Sequence, residues 1–228
     1  MRIFENLKEM YKEVEREIKH NGIISQSTSV QDKDTRLDER YKMKELIAYS
    51  YVVKDTSDRD EWLKSVGKNL EWAKADFKER ITPNTNPGEA YKLRGDVWGE
   101  FIHDGRFAYT YSERIAKRVD DIISLLKNKK NSRQAVLTVY HPDLDDSKRG
   151  GTARVPCSMF YQFVERNGRL DVIYVMRSND FIEHMPYDVW HAAQLRDYIA
   201  EQIGAEPGDL IHFASSLHVY YKDNKEIF

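Results

Sequence analysis

The chain has 228 residues, 40% of them hydrophobic and 12% aromatic, which is enough to build a sizeable core and argues against disorder. Charge nearly cancels, with 36 Lys and Arg against 38 Asp and Glu, so binding to a polyanion through bulk charge is disfavoured and nucleic acid is not expected as a partner. A single cysteine forms no internal disulfide, no stretch approaches the roughly 20 apolar residues of a membrane helix, and the charged start lacks a signal-type apolar run, so the expectation is one soluble, cytoplasmic domain over residues 1–228 that binds no membrane.

Phe4, Leu7, Tyr11, Val14 and Ile18 step by three and four residues and predict a helix that Asn21-Gly22 stops. Residues 25–38 are polar and read as a loop, and residues 45–53 as a strand. Trp62, Val66, Leu70, Ala73 and Phe77 predict one second helix; Ile115, Val119, Ile122 and Leu126 predict a third. From residue 134 the period becomes strand-like. Residues 135–140 form one strand, and a charged loop follows over 143–151. Residues 160–165 and 170–176 flank Asn167-Gly168, the strongest short-range hairpin signal. Pro186 precedes a helix ending before Gly204, and Pro207-Gly208-Asp209 turns into a last strand over 210–221. The fold class is α/β (α+β): one domain whose large mixed β-sheet is flanked by helices.

Taken alone, each polar signal has an ordinary reading. Cys157 is by default a small buried hydrophobe; as a nucleophile it needs a thiolate and nearby positive charge. A hairpin turning at Asn167-Gly168 brings Arg177 beside it. His218 and Tyr220, two apart on a strand, share a face, while Ile211, Phe213, Leu217 and Val219 point the other way as core. Asp188 near a helix start is usually a cap, and Arg133 a surface charge. The lone cysteine and the spacing of the 7 His predict no metal site.

Order and spacing together say more. The segment 154–220 resembles the thymidylate synthase and deoxycytidylate hydroxymethylase family, through "RVPCSMFYQF", "MRSND", "MPYDVWHAAQL", "GAEPGDLIHF" and "SLHVY". Upstream, "NSRQAVLTV" looks like the family's phosphate-arginine strand and "FAYTYSERI" like its catalytic-tyrosine segment. The resemblance implies a thymidylate synthase-like fold and 5,10-methylenetetrahydrofolate as co-substrate. It implies Cys157 as the nucleophile that adds to pyrimidine C6, which makes C5 able to attack. It further implies Arg177 and Ser178 on the nucleotide phosphate, and Arg133 reaching the phosphate of a neighbouring subunit in a homodimer. His218 and Tyr220 match residues on the sugar 3′-hydroxyl. Tyr109 matches the tyrosine that helps remove the C5 proton, and Asp180 the aspartate that touches the pterin. Trp98 is a further candidate on the cofactor side.

Asp188 stands where uracil-methylating members carry Asn. A carboxylate accepts from both the N4 amino group of cytosine and a protonated N3, whereas an amide faces that amino group with a donor. This points to dCMP, and "MRSND" and "SLHVY" look closer to the phage deoxycytidylate hydroxymethylases. Departures are also present. Asn69, in "NLEW", takes the place of a family glutamate: either Asn69 orients water there without titrating, or Glu71 or Glu45 substitutes. Gln134 replaces a second phosphate arginine, Arg36 or Arg40 is left to supply another, and His184 replaces a pterin-side glycine. The sequence ends eight residues after Tyr220, so the family segment that closes over the folate is expected to be missing or replaced. The leading reading is C5-hydroxymethylation of dCMP. C5-methylation of dCMP or dUMP, and a non-catalytic nucleotide-binding homologue, stay open.

Overall fold

In the computed structural model, which describes residues 1–30, 33–148 and 154–228, Asn6 marks the passage from strand to helix. Its side chain accepts from the Glu9 amide at 2.9 Å and caps α1 (Leu7–Asn21), whose Leu7, Met10, Val14 and Ile18 are fully buried. Phe4, expected on this helix, belongs instead to β1 (Arg2–Asn6). It points inward between exposed Ile3 and Glu5, a period-two alternation that the three-residue step to Leu7 imitates. Residues 25–38, read as a loop, hold the end of β2 (Ile23–Gln26) and a small ladder of β3 (Ser29–Val30) with β4 (Lys33–Asp34). The expected strand is β5 (Lys42–Asp55), parallel to β1 and antiparallel to β2.

The apolar stripe from Trp62 to Phe77 is two helices, not one. α2 (Arg59–Ser65) stops before Gly67, which takes φ +74°, and α3 (Leu70–Arg80) restarts behind Asn69, whose Oδ1 accepts from the Trp72 amide at 3.0 Å. Trp62 and Trp72 are buried on both sides of the break, so periodicity alone does not register it. The short α4 (Gly95–Trp98), β6 (Ile102–His103) and β7 (Arg106–Phe107) lead to α5 (Tyr111–Asn128). A capping box of Thr110 and Glu113 opens α5, which buries Ile115, Val119, Ile122 and Leu126. β8 (Val136–Thr138) and α6 (Pro142–Asp145) follow; part of the charged loop read at 143–151 lies outside the described residues.

β9 (Ser158–Arg166) and β10 (Arg169–Met176) form the expected hairpin, with Asn167 at φ +53° and Gly168 at φ +77°, the two left-handed residues of a type I′ turn. After β11 (Asn179–Asp180), α7 (Met185–Ile203) starts with Pro186 in its first turn and ends at Gly204 in the left-handed conformation. Residues 185–193 of α7 are all buried, as befits a helix enclosed on every side. β12 (Glu206–Tyr220) then enters the middle of the sheet, whose order is β1-β5-β12-β10-β9-β8, with β2 added on β5 and β11 on β12. The Pro207-Gly208-Asp209 turn is therefore part of a strand. It forms a bulge against β10, where the Asp209 amide donates to Asp171 at 2.7 Å and a Cβ on Gly208 would meet that carboxylate at 2.0 Å.

The expected core face of β12 is only half right. Leu210, His212 and Ala214 are buried, whereas Ile211 and Phe213 are half-buried on the opposite face; farther on, Leu217 and Val219 are the fully buried pair. The change falls opposite Ala48, which takes φ +52° and turns β5 at the position facing Ser215. Through the register, Ile211, Phe213, Ile173, Val175, Phe160 and Val136 share one face, and Val136 is 39% exposed. Helices α5 and α7 pack on the other face, over Tyr161, Phe163, Val172 and Tyr174. No helix among the described residues is long and apolar enough to cross a membrane. Asn69→Ala is expected to remove the α3 cap and lower unfolding free energy by about 1 kcal/mol, read as a shifted midpoint in chemical denaturation.

Candidate active site

Residues of β3, β10, β11 and β12 and of α3, α4, α5 and α7 converge on a cavity of about 410 Å³. The hairpin brings Cys157, just before β9, to Arg177, just after β10: the Arg177 amide donates to the Cys157 carbonyl at 2.9 Å. The Arg177 guanidinium donates to the carbonyls of Pro156 and Val155 at 2.9 and 3.0 Å, so it also holds the segment that carries the thiol. β12 adds His218 and Tyr220. β11 pairs with β12 in register Asp180 to His218, which sets Asp180 beside them. The first turn of α7 contributes Asp188, and Tyr109, Trp98 and Ser178 complete the set. With His184, ten side chains named from the sequence line one cavity.

Six other named residues do not. Asn69 is exposed and spends its side chain on the α3 cap, and its amide donates to the Tyr187 hydroxyl at 2.8 Å. Glu71, in the first turn of α3, points to solvent. The string match was displaced because α3 presents Trp72 and Arg80, not positions 69 and 71, to the cavity. Arg133 is exposed at the sheet edge, outside the cavity of its own chain, next to Gln162 on the open face. Arg36 and Arg40 are exposed and paired with Asp34 and Asp38 at 2.6 and 2.7 Å. Glu45 is buried outside the cavity; it accepts from Ser216 at 2.5 Å, and Ser216 lies 3.3 Å from Nδ1 of His218, so Glu45 braces that ring.

Sequence reasoning missed Arg80, Tyr111, Asn179 and Arg154 as cavity residues. Asn179 and Arg154 lie inside the quoted strings, where only their neighbours drew notice. Arg80 gave no signal, because a basic residue closing a helix is commonplace. Asn179 is 1% exposed, and its Nδ2 donates to Oδ2 of Asp188 at 2.8 Å. The Arg154 guanidinium lies over the rings of Phe101, Trp98 and Tyr109 at 4.6, 4.9 and 5.5 Å. Tyr111 continues inward as a chain of hydroxyls, 2.6 Å to Ser158 and from there 2.5 Å to Tyr174.

Burial governs the protonation states. It pushes the Asp188 carboxyl up to about 7, against the opposing pull of Arg80 and the Asn179 hydrogen bond. It also raises the Cys157 thiol; Arg177 and Arg154 draw it back only in part, and Asp188 adds to the rise. The thiol is thus neutral at rest, rather than the thiolate that a neighbouring arginine alone would suggest. Burial likewise raises the Tyr109 phenol and holds His218 and His184 neutral. On the far wall the rings of Trp72 and Trp98 lie 12° from parallel, and Asp180 accepts at 3.0 Å from the amides of both Ile182 and Glu183. The Arg94 guanidinium lies over both rings, 4.8 Å from the Trp72 centroid and 5.9 Å from that of Trp98.

One cavity thus holds a half-buried cysteine thiol, a carboxyl balanced between acid and base, and several arginine side chains. The chain belongs to the thymidylate synthase family, whose model, described as thymidylate synthase, matches residues 33–227. It is 34% identical over 126 residues to a Methanocaldococcus jannaschii protein named "Putative thymidylate synthase", covering 55% of this chain and 57% of that one. It is 26% identical over 169 residues to the thymidylate synthase of Rhizorhabdus wittichii, covering 71% of this chain and 53% of that one. The chain thus spans little more than half the length of these relatives. In fold it is similar to thymidylate synthase from T4 phage, with TM-score 0.69 and 22% identity over 94% of this chain and 77% of that one. Thymidylate synthase A from Bacillus subtilis gives TM-score 0.68 and 19% identity, over 97% and 84%.

The raised Asp188 carboxyl has a stability consequence. Below its ordinary value near 3.8 it is protonated in both folded and unfolded chains. As pH rises towards 7 only the unfolded chain ionises, so wild-type stability falls across that window and levels off above it. Asp188→Asn is therefore expected to gain on the wild type between pH 4 and 7, by up to about 4 kcal/mol, then hold a constant lead, as read by denaturant unfolding at stepped pH.

Proposed function

We propose that the protein transfers a one-carbon unit to C5 of a pyrimidine nucleoside monophosphate, with dCMP as substrate and a hydroxymethyl group as product. The observation that carries this reading is Asp188: a buried carboxyl near pKa 7, in the same cavity as Cys157. In its acid form it donates to N3 of cytosine and accepts from the N4 amino group. When the Cys157 sulfur bonds to C6, the C5–C6 π pair moves into the ring system. N3 then takes the Asp188 proton, and the thiol proton passes to solvent. Charge therefore never builds up on the buried base, and a neutral resting thiol is no obstacle.

Methylenetetrahydrofolate, when bound, supplies the one-carbon unit; Trp72, Trp98 and Asp180 are the residues suited to hold its ring. Tyr109, kept neutral by burial, assists departure of the C5 proton. Arg177 and Ser178 take the phosphate at the cavity mouth, and His218 and Tyr220 take the sugar. Polar Arg80 and Tyr111 along the back wall favour water at the reacting carbon, which supports hydroxymethyl over methyl. The acid form of Asp188 also complements uracil, with O–H to O4 and C=O to N3–H, so dUMP methylation is the second reading. The homodimer reading is supported by the open apolar sheet face and by Arg133, which sits at its edge away from its own cavity.

Mass analysis of products from dCMP and dUMP, each with methylenetetrahydrofolate, tests the reaction. Hydroxymethyl-dCMP is expected. Cys157→Ala should abolish turnover while leaving nucleotide affinity within a few-fold, and Asp188→Asn should move preference towards dUMP; turnover that survives loss of the thiol removes the covalent mechanism. Ile173→Asp, on the open face, is expected to give monomers in sedimentation velocity and to weaken nucleotide binding. A monomeric variant with undiminished affinity would refute a phosphate site shared between subunits.

A further inference from the structure

Arg80 ends α3 and lines the same cavity as Cys157 and Asp188, and the polarity asked of it above does not account for how it is held. It is 7% exposed, an unusual depth for a guanidinium. Two of its features are structural. Nε donates to Oδ2 of Asp76 at 2.6 Å, and the guanidinium carbon lies 3.8 Å from the ring centroid of Tyr111. Asp76 is shared, because Nε2 of buried His191 is 3.1 Å from the same oxygen. The Asp76 carboxylate stays ionised: burial opposes its charge, but Arg80 and His191 more than offset that. One positive charge is thus balanced by one negative charge, and the cation is held rigidly.

The third feature is unspent. Nη1 of Arg80 is buried without a hydrogen-bond partner among the described residues, although Arg80 lines the cavity together with Cys157 and Asp188. Leaving a buried charged donor unmatched costs more than leaving a neutral one, so the site gains when an acceptor arrives. Pyrimidines bring such an acceptor, since both cytosine and uracil carry a carbonyl oxygen. Arginine cannot accept a proton or a hydrogen bond, so its contribution is restricted to donating to that oxygen and to electron density gathering on it.

We infer that Arg80 is a base-recognition residue, anchored by Asp76 and the Tyr111 ring, whose Nη1 donates to a carbonyl oxygen of the bound pyrimidine. This rests on the pyrimidine nucleotide reading above, but not on which pyrimidine is the substrate. It gives the Asp76–His191 pair a purpose, which is to fix the direction of the guanidinium. It also explains how a site whose family glutamate is not supplied by Asn69 or Glu71 presents a strong polar group at the base.

Isothermal titration of the full chain with dCMP, dUMP and 2-deoxyribose 5-phosphate separates a role at the base from a structural one. Arg80→Met is expected to weaken binding of the preferred nucleotide by about 10- to 100-fold, as for a charged hydrogen bond, and to leave 2-deoxyribose 5-phosphate unchanged. Arg80→Lys keeps a cation for Asp76 and serves if the methionine variant does not fold; its expected loss is about 5-fold or more, again only for ligands carrying a base. Equal losses on nucleotide and sugar phosphate, or no loss on either, overturn the inference. A wild-type protein that binds both nucleotides no better than the sugar phosphate instead overturns the nucleotide reading itself.

Discussion

One hydrogen bond between an amide and a carboxyl ties the sheet to the buried helix. Asn179, on the short strand beside β12, donates to Asp188 in the first turn of α7. Both side chains are buried, so neither can exchange this contact for water without opening the fold. The bond fixes the rotation of α7 relative to the strands that carry His218 and Tyr220. It also stabilises the ionised form of a carboxyl that burial alone would drive further towards the acid. Position and protonation of the central acid are therefore set together.

Around that contact the cavity floor is polar. Arg80, Asp76 and His191 form a compact charge cluster, while Tyr111, Ser158 and Tyr174 form a hydroxyl chain. Such a floor is costly to bury and specifies one arrangement when its members are matched. The wall opposite is aromatic. The cavity is thus divided into a polar floor and an aromatic wall.

Much of the site was legible because it is built from short segments whose spacing the chain cannot alter. The type I′ turn at Asn167-Gly168 sets the separation between Cys157 and Arg177 along the hairpin, and the strand period puts His218 and Tyr220 on one side. Where the sequence misled, a local conformation overrode periodicity. Phe4 sits on a strand whose alternation happens to meet the helix spacing. Gly67 and Asn69 divide a stripe that looks continuous, and Ala48 turns β5 so that Ile211 and Phe213 leave the core. The string match at Asn69 and Glu71 failed for a related reason, since position along a helix does not say which face meets the cavity until the packing partner is known.

The sequence by itself determined the family, the α/β class, the hairpin and ten of the cavity's side chains. These follow from spacing, turn chemistry and side-chain type, all of them local properties. Only the tertiary structure decided the charge state of the groups. Burial brought Asp188 to about 7 and left the Cys157 thiol protonated despite Arg177. It also decided that Arg80, an ordinary helix-ending arginine in the sequence, lines the same cavity as Cys157 and Asp188. Desolvation depends on what the rest of the chain packs around a group, and no stretch of sequence carries that information alone.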